Sequence, residues 1–264
     1  MNYCNELSQV VSNQLIAKNT YRAVLSSPNI ASAASPGQFV NILPSSDWRL
    51  AMRRPMSLAG VKGDNIELIY KVFGPGTDLM SKWKKGCKVD MIGPLGNFWN
   101  DFDKMPVLIG GGVGIAPIMY LSDYLKNKDI NHYLIMGAKD KGEHFLNHNP
   151  DENVFLSTDN GSIGIKGNVL DVFKEINPIN SQIKIFSCGP SVMMESLRDF
   201  SNENGICCDL ALETVIACGF GICQGCTVEY DKSDKDKHSY RSKFGLVCLD
   251  GPIFNSKKIK TCKL

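Results

Sequence analysis

The segment "VLIGGGVGIAPI", residues 107–118, decides how the middle of the chain folds. Its apolar start is typical of a buried strand, its glycines end that strand, and "IAPI" begins a helix in which Pro117 is tolerated near the first turn. The alternation continues downstream with three more strands and another helix: "HYLIMGA" (132–138), "VFLSTDNG" (154–161), "IKIFSCGP" (183–190) and "SVMMESLRDFSNENG" (191–205). Strands that alternate with helices predict a parallel, doubly wound sheet.

The glycine turn after the first of these strands indicates a nucleotide phosphate site. Backbone N–H groups of such a turn and the N-terminus of the following helix attract anions, so Gly112 and Gly114 are candidate phosphate contacts. Pro117 stands where the dinucleotide pattern G-x-G-x-x-G has its last glycine. A tight turn that only closes the strand onto the helix is the alternative. Asp140 is a candidate for a ribose hydroxyl, and the choice between NAD and NADP stays open.

A second strand in this region ends at Cys188-Gly189-Pro190 and is again followed by a helix. Ligands of open α/β sheets bind outside the carboxyl ends of the strands. Cys188 is therefore predicted to face the ligand crevice. A small buried thiol at a strand end is the alternative interpretation.

Residues 1–100 follow a different pattern. The segments "QFVNIL" (38–43) and "IELIYKVF" (66–73) alternate in the manner of strands, and one face of the second is formed by Ile66, Leu68, Tyr70 and Val72. Glycine and proline recur between short apolar runs. Many short strands with frequent turns predict a barrel or a sandwich.

Two polar motifs in this β-rich part are candidate ligand contacts. In "RRPMSL" (53–58), Arg54 can hold a diphosphate by a charge-assisted fork, and Ser57 can hydrogen-bond the edge of a polar ring. Gly76 and Thr77 offer an amide and a hydroxyl that suit a phosphate. A surface arginine and an ordinary strand serine are the alternative.

Three cysteines lie within nine positions in "ACGFGICQGCTVEY", residues 217–230. Cys218, Cys223 and Cys226 have the spacing C-x4-C-x2-C, and Cys248 follows after 21 residues, which is the plant-type [2Fe–2S] spacing. The intervening glycines let the loop approach two irons closely. Zinc is an alternative, although its sites usually show two C-x2-C pairs and only one is present here. Disulfides and ordinary core cysteines are further alternatives.

Length and composition limit the possible functions. The 264 residues suit two or three domains, and 29 basic against 27 acidic residues give no reason to expect nucleic acid or an anionic membrane as a partner. No apolar run approaches the roughly 18 residues of a membrane span, and the start "MNYCNELSQVV" does not have a signal-peptide pattern. We expect a cytoplasmic protein, in which ten cysteines favour metal binding over disulfides.

The motifs occur in a characteristic order: RPxS, then Gly-x-Gly-Thr at 74–77, then GGGVGIAP, CGP and the four cysteines. In this order the chain resembles the ferredoxin reductase superfamily and, more closely, the electron-transfer subunits of class 1B dihydroorotate dehydrogenase, whose fourth-ligand segment "VCLDGPIF" (247–254) matches. The resemblance implies a multidomain α+β and α/β fold. Its parts are an antiparallel FAD-binding β-barrel at 1–100, an NAD-binding doubly wound domain at 101–212 and a [2Fe–2S] domain at 213–264.

The resemblance also implies the site residues. Cluster ligands are implied at Cys218, Cys223, Cys226 and Cys248, and an NAD site at Gly112, Gly114 and Cys188. FAD contacts are implied at Arg54, Pro55, Met56, Ser57, Ile69, Tyr70, Lys71, Gly76 and Thr77.

The activity implied by the resemblance is electron transfer in pyrimidine biosynthesis. Electrons pass from a separate FMN-bearing catalytic subunit, which oxidises dihydroorotate, through the cluster and FAD to NAD. The implied assembly is a heterotetramer of two plus two subunits. No acid–base pair for dihydroorotate is therefore expected in this chain.

Two departures and one alternative accompany the resemblance. Met56 stands where plant-type ferredoxin reductases usually have a tyrosine stacked on the flavin, and the gap before Cys248 is longer than usual. The alternative is the reductase-like subunit of a ferredoxin:NAD(P) oxidoreductase or of sulfide dehydrogenase. In those subunits the first cluster position is typically aspartate, so Cys218 favours the dihydroorotate interpretation.

Overall fold

The computed structural model describes residues 3–45, 51–178, 182–231 and 240–263. Within these residues the chain builds a closed barrel, a seven-stranded open sheet and a small two-stranded sheet. The barrel comes from the first hundred residues, and the open sheet follows it along the chain.

The barrel is antiparallel throughout and closes in the order β1-β2-β5-β4-β3-β6. Ile66, Leu68 and Tyr70 alternate toward its interior and are almost completely buried, as the sequence pattern predicts. Two short helices, α1 (Pro28–Ala33) and α2 (Pro75–Ser81), lie in the connections. The strands are β1 (Cys4–Ala17), β2 (Thr20–Ser26), β3 (Phe39–Leu43), β4 (Arg54–Lys62), β5 (Asn65–Lys71) and β6 (Lys88–Leu95).

The open sheet has the order β10-β9-β8-β7-β11-β12-β15, and its first six strands are parallel. From β7 the chain builds outward to one side and then returns to the other side at β11, so the strand order reverses between β7 and β11. Such a switch point opens a crevice at the carboxyl ends of the strands. The strands are β7 (Met105–Gly111), β8 (Tyr133–Ala138), β9 (Val154–Thr158), β10 (Ile165–Lys166), β11 (Ile183–Cys188) and β12 (Cys207–Ala211).

Helices cover both faces of this sheet, because its central strands are apolar on both sides. Helix α3 (Ile115–Lys126) packs on one face, against Leu108 and Phe186 among others. Helices α4 (Val169–Ile176) and α5 (Ser191–Glu203) pack on the other face. The doubly wound architecture predicted from the sequence is confirmed.

The C-terminal residues pack against both larger parts. They contain β13 (Thr227–Glu229), α6 (Tyr240–Lys243), β14 (Phe244–Leu246) and β15 (Ile253–Asn255). Strand β15 pairs antiparallel with β12 and so becomes the last strand of the open sheet. Cys226 and Cys248 belong to the same buried cluster as Phe39 and Leu95 of the barrel. The division of the chain at residues 100 and 212 stays a prediction.

None of the helices in the described ranges combines the length and the apolar character that crossing a membrane requires.

Phe186 links the sheet to the end of the barrel region. It is completely buried on β11, and its ring meets that of Trp99 edge to face at 6.2 Å. Replacing it by alanine removes a large core side chain, so Phe186→Ala should lower the free energy of unfolding by about 3–5 kcal/mol. Urea denaturation of the purified chain measures this difference.

Phe98→Ala is the matched control, since Phe98 lies one residue from Trp99 and is 46% exposed. This control should change the unfolding free energy by less than about 0.5 kcal/mol. Equal losses in the two variants would contradict the packing described for Phe186.

Candidate functional site: two joined cavities and a cysteine loop

Two neighbouring cavities lie where the barrel meets the open sheet. The smaller one measures about 250 Å³ and is lined by strands β4 and β5 of the barrel and by residues 212–216. The larger one measures about 700 Å³ and lies at the carboxyl ends of β7, β8, β9 and β11. Both cavities are lined by Lys71, Phe73, Val113 and Glu213. These shared lining residues place the two cavities side by side.

The smaller cavity brings together most of the residues predicted to contact FAD. Ser57 and Met56 reach it from β4, Ile69 from β5 and Thr77 from α2. Leu212, Thr214 and Ile216 form a further part of its wall. The complete set of predicted residues that line it is Pro55, Met56, Ser57, Ile69, Tyr70, Lys71 and Thr77.

Arg54 lies beside the turn that carries Gly76. A Cβ atom added at Gly76 would stand only 2.7 Å from the Nε atom of Arg54, so the guanidinium packs directly on the backbone of that glycine. The two motifs that lie twenty residues apart in sequence are therefore in contact. The Thr77 hydroxyl accepts hydrogen bonds from the N–H groups of Phe73 and Gly74, at 2.9 and 3.2 Å, and so holds the turn.

Tyr70 is placed differently from its neighbours. Its side chain is 1% exposed and lies in the barrel core, with its ring stacked on that of Tyr21 at 5.7 Å. Its hydroxyl donates to the Oδ1 atom of Asn13 at 3.0 Å, and burial raises its pKa. Tyr70 therefore lines the cavity through its backbone. Its ring does not take the role of the flavin-stacking tyrosine, in whose place this chain has Met56.

The larger cavity contains the two strand-end turns predicted from the sequence. Gly112 and Gly114 line it directly, and Gly112 has a φ of +55° with open space where a side chain would stand. A Cβ atom at Gly114 would lie 2.4 Å from the carbonyl of Cys188, so the two turns touch backbone to backbone. This contact needs glycine at position 114 and brings both strand ends to one crevice.

Cys188 lies just behind this crevice and contacts Glu213. Its thiol donates to the Oε1 atom of Glu213 at 3.8 Å. Burial raises the pKa of Cys188 well above its ordinary value, and the neighbouring carboxylate raises it further. Glu213 itself is an exposed residue that lines both cavities. Cys188 therefore stays a protonated thiol beside them.

The sequence predicts a ribose contact at Asp140, but this residue does not line the larger cavity. The Asp140 carboxylate accepts from the Gly142 N–H at 2.8 Å and caps the short 3-10 helix Lys141–Glu143. Glu143 lines the cavity instead and forms a 2.7 Å ion pair with Lys71, which holds the pKa of Glu143 below its usual range. Ser157, near the end of β9, and Asp159, just after it, also line the cavity. The sequence does not indicate them, because neither belongs to a recognisable motif.

The four predicted cluster ligands occur as two pairs. Cys218 and Cys223 are neighbours, with the Cys223 N–H donating to the Cys218 sulfur at 3.5 Å. Cys226 and Cys248 form the other pair, with the Cys248 N–H donating to the Cys226 sulfur at 3.4 Å. Among the described residues, no three His, Cys, Asp or Glu side chains converge on a point where a single metal ion would sit. Paired thiols suit a two-iron cluster, in which each iron takes two protein ligands.

The loop stabilises thiolates. Burial alone raises the pKa of Cys218, but N–H groups of residues 223, 220 and 222 point at its sulfur and lower the value to about 7. A hydrogen bond from the Cys248 thiol lowers the pKa of Cys226 to about 6, and the same bond raises that of Cys248. Thiolate sulfur is the form that binds metal. Gly219 and Gly221 have φ values of +88° and +86°, a conformation that turns these amides inward at little cost.

Comparison with known proteins agrees with this site. The sequence model of the iron–sulfur cluster binding domain of dihydroorotate dehydrogenase B matches residues 213–260. The chain is 32% identical to the electron transfer subunit of dihydroorotate dehydrogenase B (NAD(+)) of Fusobacterium nucleatum subsp. nucleatum, over 95% of this chain and 96% of that one. The corresponding subunit of Bacillus pumilus is 31% identical, over 95% and 96%.

Solved structures show the same architecture. A chain from the structure of the NADH-dependent reduced ferredoxin-NADP oxidoreductase superposes with a TM-score of 0.84 at 26% identity, over 98% of this chain and 91% of that chain. The ferredoxin reductase of carbazole 1,9a-dioxygenase shares the fold alone, with a TM-score of 0.67 at 18% identity, over 78% and 67%.

The fold and the site define a flavin- and iron–sulfur-dependent reductase of the ferredoxin reductase type, which uses FAD, a [2Fe–2S] cluster and NAD. Within that class, the chain belongs to the family of electron transfer subunits of dihydroorotate dehydrogenase B.

Cys218 should show its lowered pKa in the metal-free chain. Only the thiolate reacts with iodoacetamide, so the labelling rate should rise with pH through a midpoint of about 7 and level off above it. Peptide mass spectrometry across a pH series gives this curve for each cysteine separately.

Cys208 is the internal control, because it is buried and its pKa is raised to about 12. It should stay unlabelled throughout the series. A midpoint for Cys218 at its ordinary value, near 9, would show that the loop N–H groups do not stabilise the thiolate.

Proposed function

We propose that this chain is the electron transfer subunit of an NAD-dependent dihydroorotate dehydrogenase and acts in pyrimidine biosynthesis. Its partner is an FMN-bearing catalytic subunit that oxidises dihydroorotate, in a cytoplasmic heterotetramer of two plus two subunits. The names of the relatives support the activity and the need for a partner. The near balance of 29 basic and 27 acidic residues supports a protein partner over nucleic acid.

The observation that carries this proposal is the path of the chain from the smaller cavity to the cysteines. Ile216 lines that cavity, and Cys218 follows two residues later. Pro252 lines it as well, and Cys248 precedes it by four residues. An extended chain spans at most about 3.6 Å per residue. The Cα atom of Cys218 therefore lies within about 7 Å of that of Ile216, and the Cα atom of Cys248 within about 14 Å of that of Pro252. This short chain distance supports a cluster site beside the cavity proposed for the flavin.

The smaller cavity fits the flavin. We assign its ring system to the space between β4, β5 and residues 212–216, where Met56 and Ile69 supply apolar contacts and Ser57 a polar one. The diphosphate is assigned to Arg54 together with the backbone N–H groups of Gly76 and Thr77 in the first turn of α2. The close approach of Arg54 to Gly76 is the structural feature that supports this assignment.

The larger cavity fits NAD. Gly112 and Gly114 present backbone amides to it, and both belong to the switch point between β7 and β11. The cavity shares Lys71, Phe73, Val113 and Glu213 with the smaller one, so a nicotinamide bound beside these residues adjoins the proposed flavin site. The contact between Cys188 and Glu213 fixes the wall of this junction.

The cofactors supply the redox chemistry: the cluster carries one electron at a time, and the flavin exchanges two with NAD as a hydride. The chain's own residues bind and orient these groups. Cys218, Cys223, Cys226 and Cys248 would hold the cluster as thiolates, and the loop N–H groups directed at the sulfurs of Cys218 and Cys226 would tune its potential. Cys223 is exposed, so the cluster lies near the surface at which a partner can dock.

Loss of a cluster ligand should interrupt only part of the path. In the complex with the catalytic subunit, Cys223→Ser should abolish electron transfer from dihydroorotate to NAD, because the cluster joins the two flavins. Oxidation of NADH by a dye that takes electrons from FAD should persist. Both activities are measured by absorbance at the nicotinamide band.

Cys87→Ser is the control for this experiment, since Cys87 is an exposed cysteine outside the four-residue set. It should leave both activities at the level of the unaltered protein. Turnover from dihydroorotate to NAD in the Cys223→Ser complex would place the cluster off the path.

Gly76→Ala should weaken FAD binding. The added methyl group would displace Arg54 from the turn, and loss of a hydrogen bond to a charged group typically costs about 1.5–3 kcal/mol, or about 10-fold or more in affinity. Titration of the flavin-free chain with FAD, followed by flavin fluorescence, measures this change.

The matched control is Gly74→Ala in the same turn. Gly74 has an extended backbone, with φ of −159°, and nothing within 4 Å of an added Cβ atom. The affinity of the Gly74→Ala chain for FAD should equal that of the unaltered chain. Equal FAD affinities in the two variants would argue against a role for Arg54 at the diphosphate.

A further inference from the structure

The barrel holds the first cysteine-bearing segment, residues 217–226, through Asn41. This residue on β3 is completely buried, and its Nδ2 group donates to the carbonyl oxygens of Ala217 and Cys218, both at 3.1 Å. These contacts join residues 176 and 177 positions apart in sequence. Because carbonyl oxygens only accept hydrogen bonds, the orientation of the Asn41 amide is fixed by its partners.

Asn41 is not explained by barrel stability. Its Oδ1 atom is buried and finds no hydrogen-bond partner among the described residues, an arrangement that disfavours folding. An apolar side chain at this position of β3 would avoid that cost. The two bonds to the cysteine loop are therefore what the amide provides. Gly219 makes the approach possible, since a Cβ atom there would lie 3.0 Å from the Nδ2 atom of Asn41.

The second cysteine-bearing segment is held in the same way by Asn97. Its Nδ2 group donates to the carbonyl oxygens of Asp250 and Ile253 at 3.0 and 2.9 Å, and its Oδ1 atom accepts from the Ile253 N–H at 2.9 Å. Its own N–H donates to the Gly251 carbonyl at 2.6 Å. These partners lie two to five residues after Cys248. Each cysteine-bearing segment is thus attached to the barrel region by one asparagine side chain.

Strand β3 connects these attachments to the smaller cavity. Phe39 lines that cavity, and Asn41 lies two residues further along the same face of β3, about 7 Å away. Phe39 also pairs with Leu95, the last residue of β6, and Asn97 follows two positions later. A paired strand is a rigid element, so Asn41 stands at a fixed distance from the cavity wall, and Asn97 lies in the turn two residues after the end of β6.

We propose that Asn41 and Asn97 are positioning residues that fix the distance and orientation of the iron–sulfur cluster relative to the flavin. This inference rests on the proposed function, because it takes the smaller cavity as the flavin site and the four cysteines as the cluster ligands. Among the described residues, no strand of the C-terminal part pairs with a strand of the barrel, and these two side-chain amides supply hydrogen bonds between them instead. Electron transfer between the two cofactors depends on the separation that they maintain.

The test uses the purified chain with both cofactors bound, mixed rapidly with NADH without oxygen. The hydride of NADH brings two electrons to the flavin, and one of these moves on to the cluster, which takes one electron. In Asn41→Leu and Asn97→Leu, flavin bleaching should keep its rate while cluster reduction slows by about 10-fold or more. The paramagnetic spectrum of the reduced cluster should also change in shape.

Asn202→Leu is the matched control. Asn202 also bonds the C-terminal residues, through the Ser256 carbonyl at 3.4 Å and the Ser256 hydroxyl at 2.8 Å, but it lies on α5 and away from both cavities. It should leave the rate of cluster reduction and the spectrum unchanged. A change equal to that of Asn41→Leu would overturn the proposal, since any loosening of the C-terminal residues would then suffice.

Asn41→Ala gives a second variant if Asn41→Leu does not fold. Its short side chain removes both hydrogen bonds to the loop without adding bulk, so cluster reduction should slow as in Asn41→Leu. Unchanged cluster reduction in the leucine and alanine variants overturns the positioning role. The iron and FAD contents of the unaltered chain are measured first. Absence of either cofactor would overturn the proposed function itself.

Discussion

Hydrogen bonds around β12 fix the point at which the chain leaves the open sheet and enters the cysteine-bearing segment. Strand β12 pairs with β11 on one side and with β15 on the other, and the Leu212 N–H donates to the Pro252 carbonyl at 2.8 Å. The segment with Cys218 therefore leaves the sheet, and the segment with Cys248 enters it, at the same end of the β12–β15 pair. A slip of one residue here would turn Glu213 away from the cavities and move Cys218, because successive side chains of an extended chain alternate in direction.

The placement of charges follows from this arrangement. Lys71 from the barrel and Glu143 from the open-sheet region form an ion pair of 2.7 Å across the larger cavity, with side chains that are 21% and 14% exposed. The pair ties the two parts of the fold together beside the ligand space. Glu213 lines both cavities from the other side of the junction and accepts from the Cys188 thiol. The junction thus combines an ion pair with an exposed acidic side chain.

The motifs that the sequence makes recognisable are those whose backbone geometry requires particular residues. Gly114 touches Cys188 backbone to backbone, and Gly219 and Gly221 need positive φ values, so these positions stand out as glycines. The spacing of Cys218, Cys223 and Cys226 is visible because one loop must supply three sulfurs over a short distance. Asp140 shows the limit of such reasoning. It follows a strand as a ribose ligand would, yet its carboxylate caps a 3-10 helix, a local use that competes for the same side chain.

Residues that act across the fold gave no signal. Asn41 and Asn97 are ordinary strand and turn residues in sequence, and their partners lie more than 150 positions away. Glu213 reads as one more polar residue before the cysteine loop, and its position between two cavities depends on the pairing of β12. Such roles come from contacts between distant segments, which no local pattern encodes.

The sequence by itself determined the alternation of strands and helices, the glycine turns at the strand ends and the cysteine spacing, because each of these is a local requirement of backbone geometry or of sulfur chemistry. The tertiary structure alone decided that the strand order reverses between β7 and β11, that β15 completes the same sheet and that the cysteine loop rests on Asn41. It also decided that the four thiols form two pairs beside the smaller cavity. These features depend on which distant surfaces bury each other most completely, and that is a property of the whole chain.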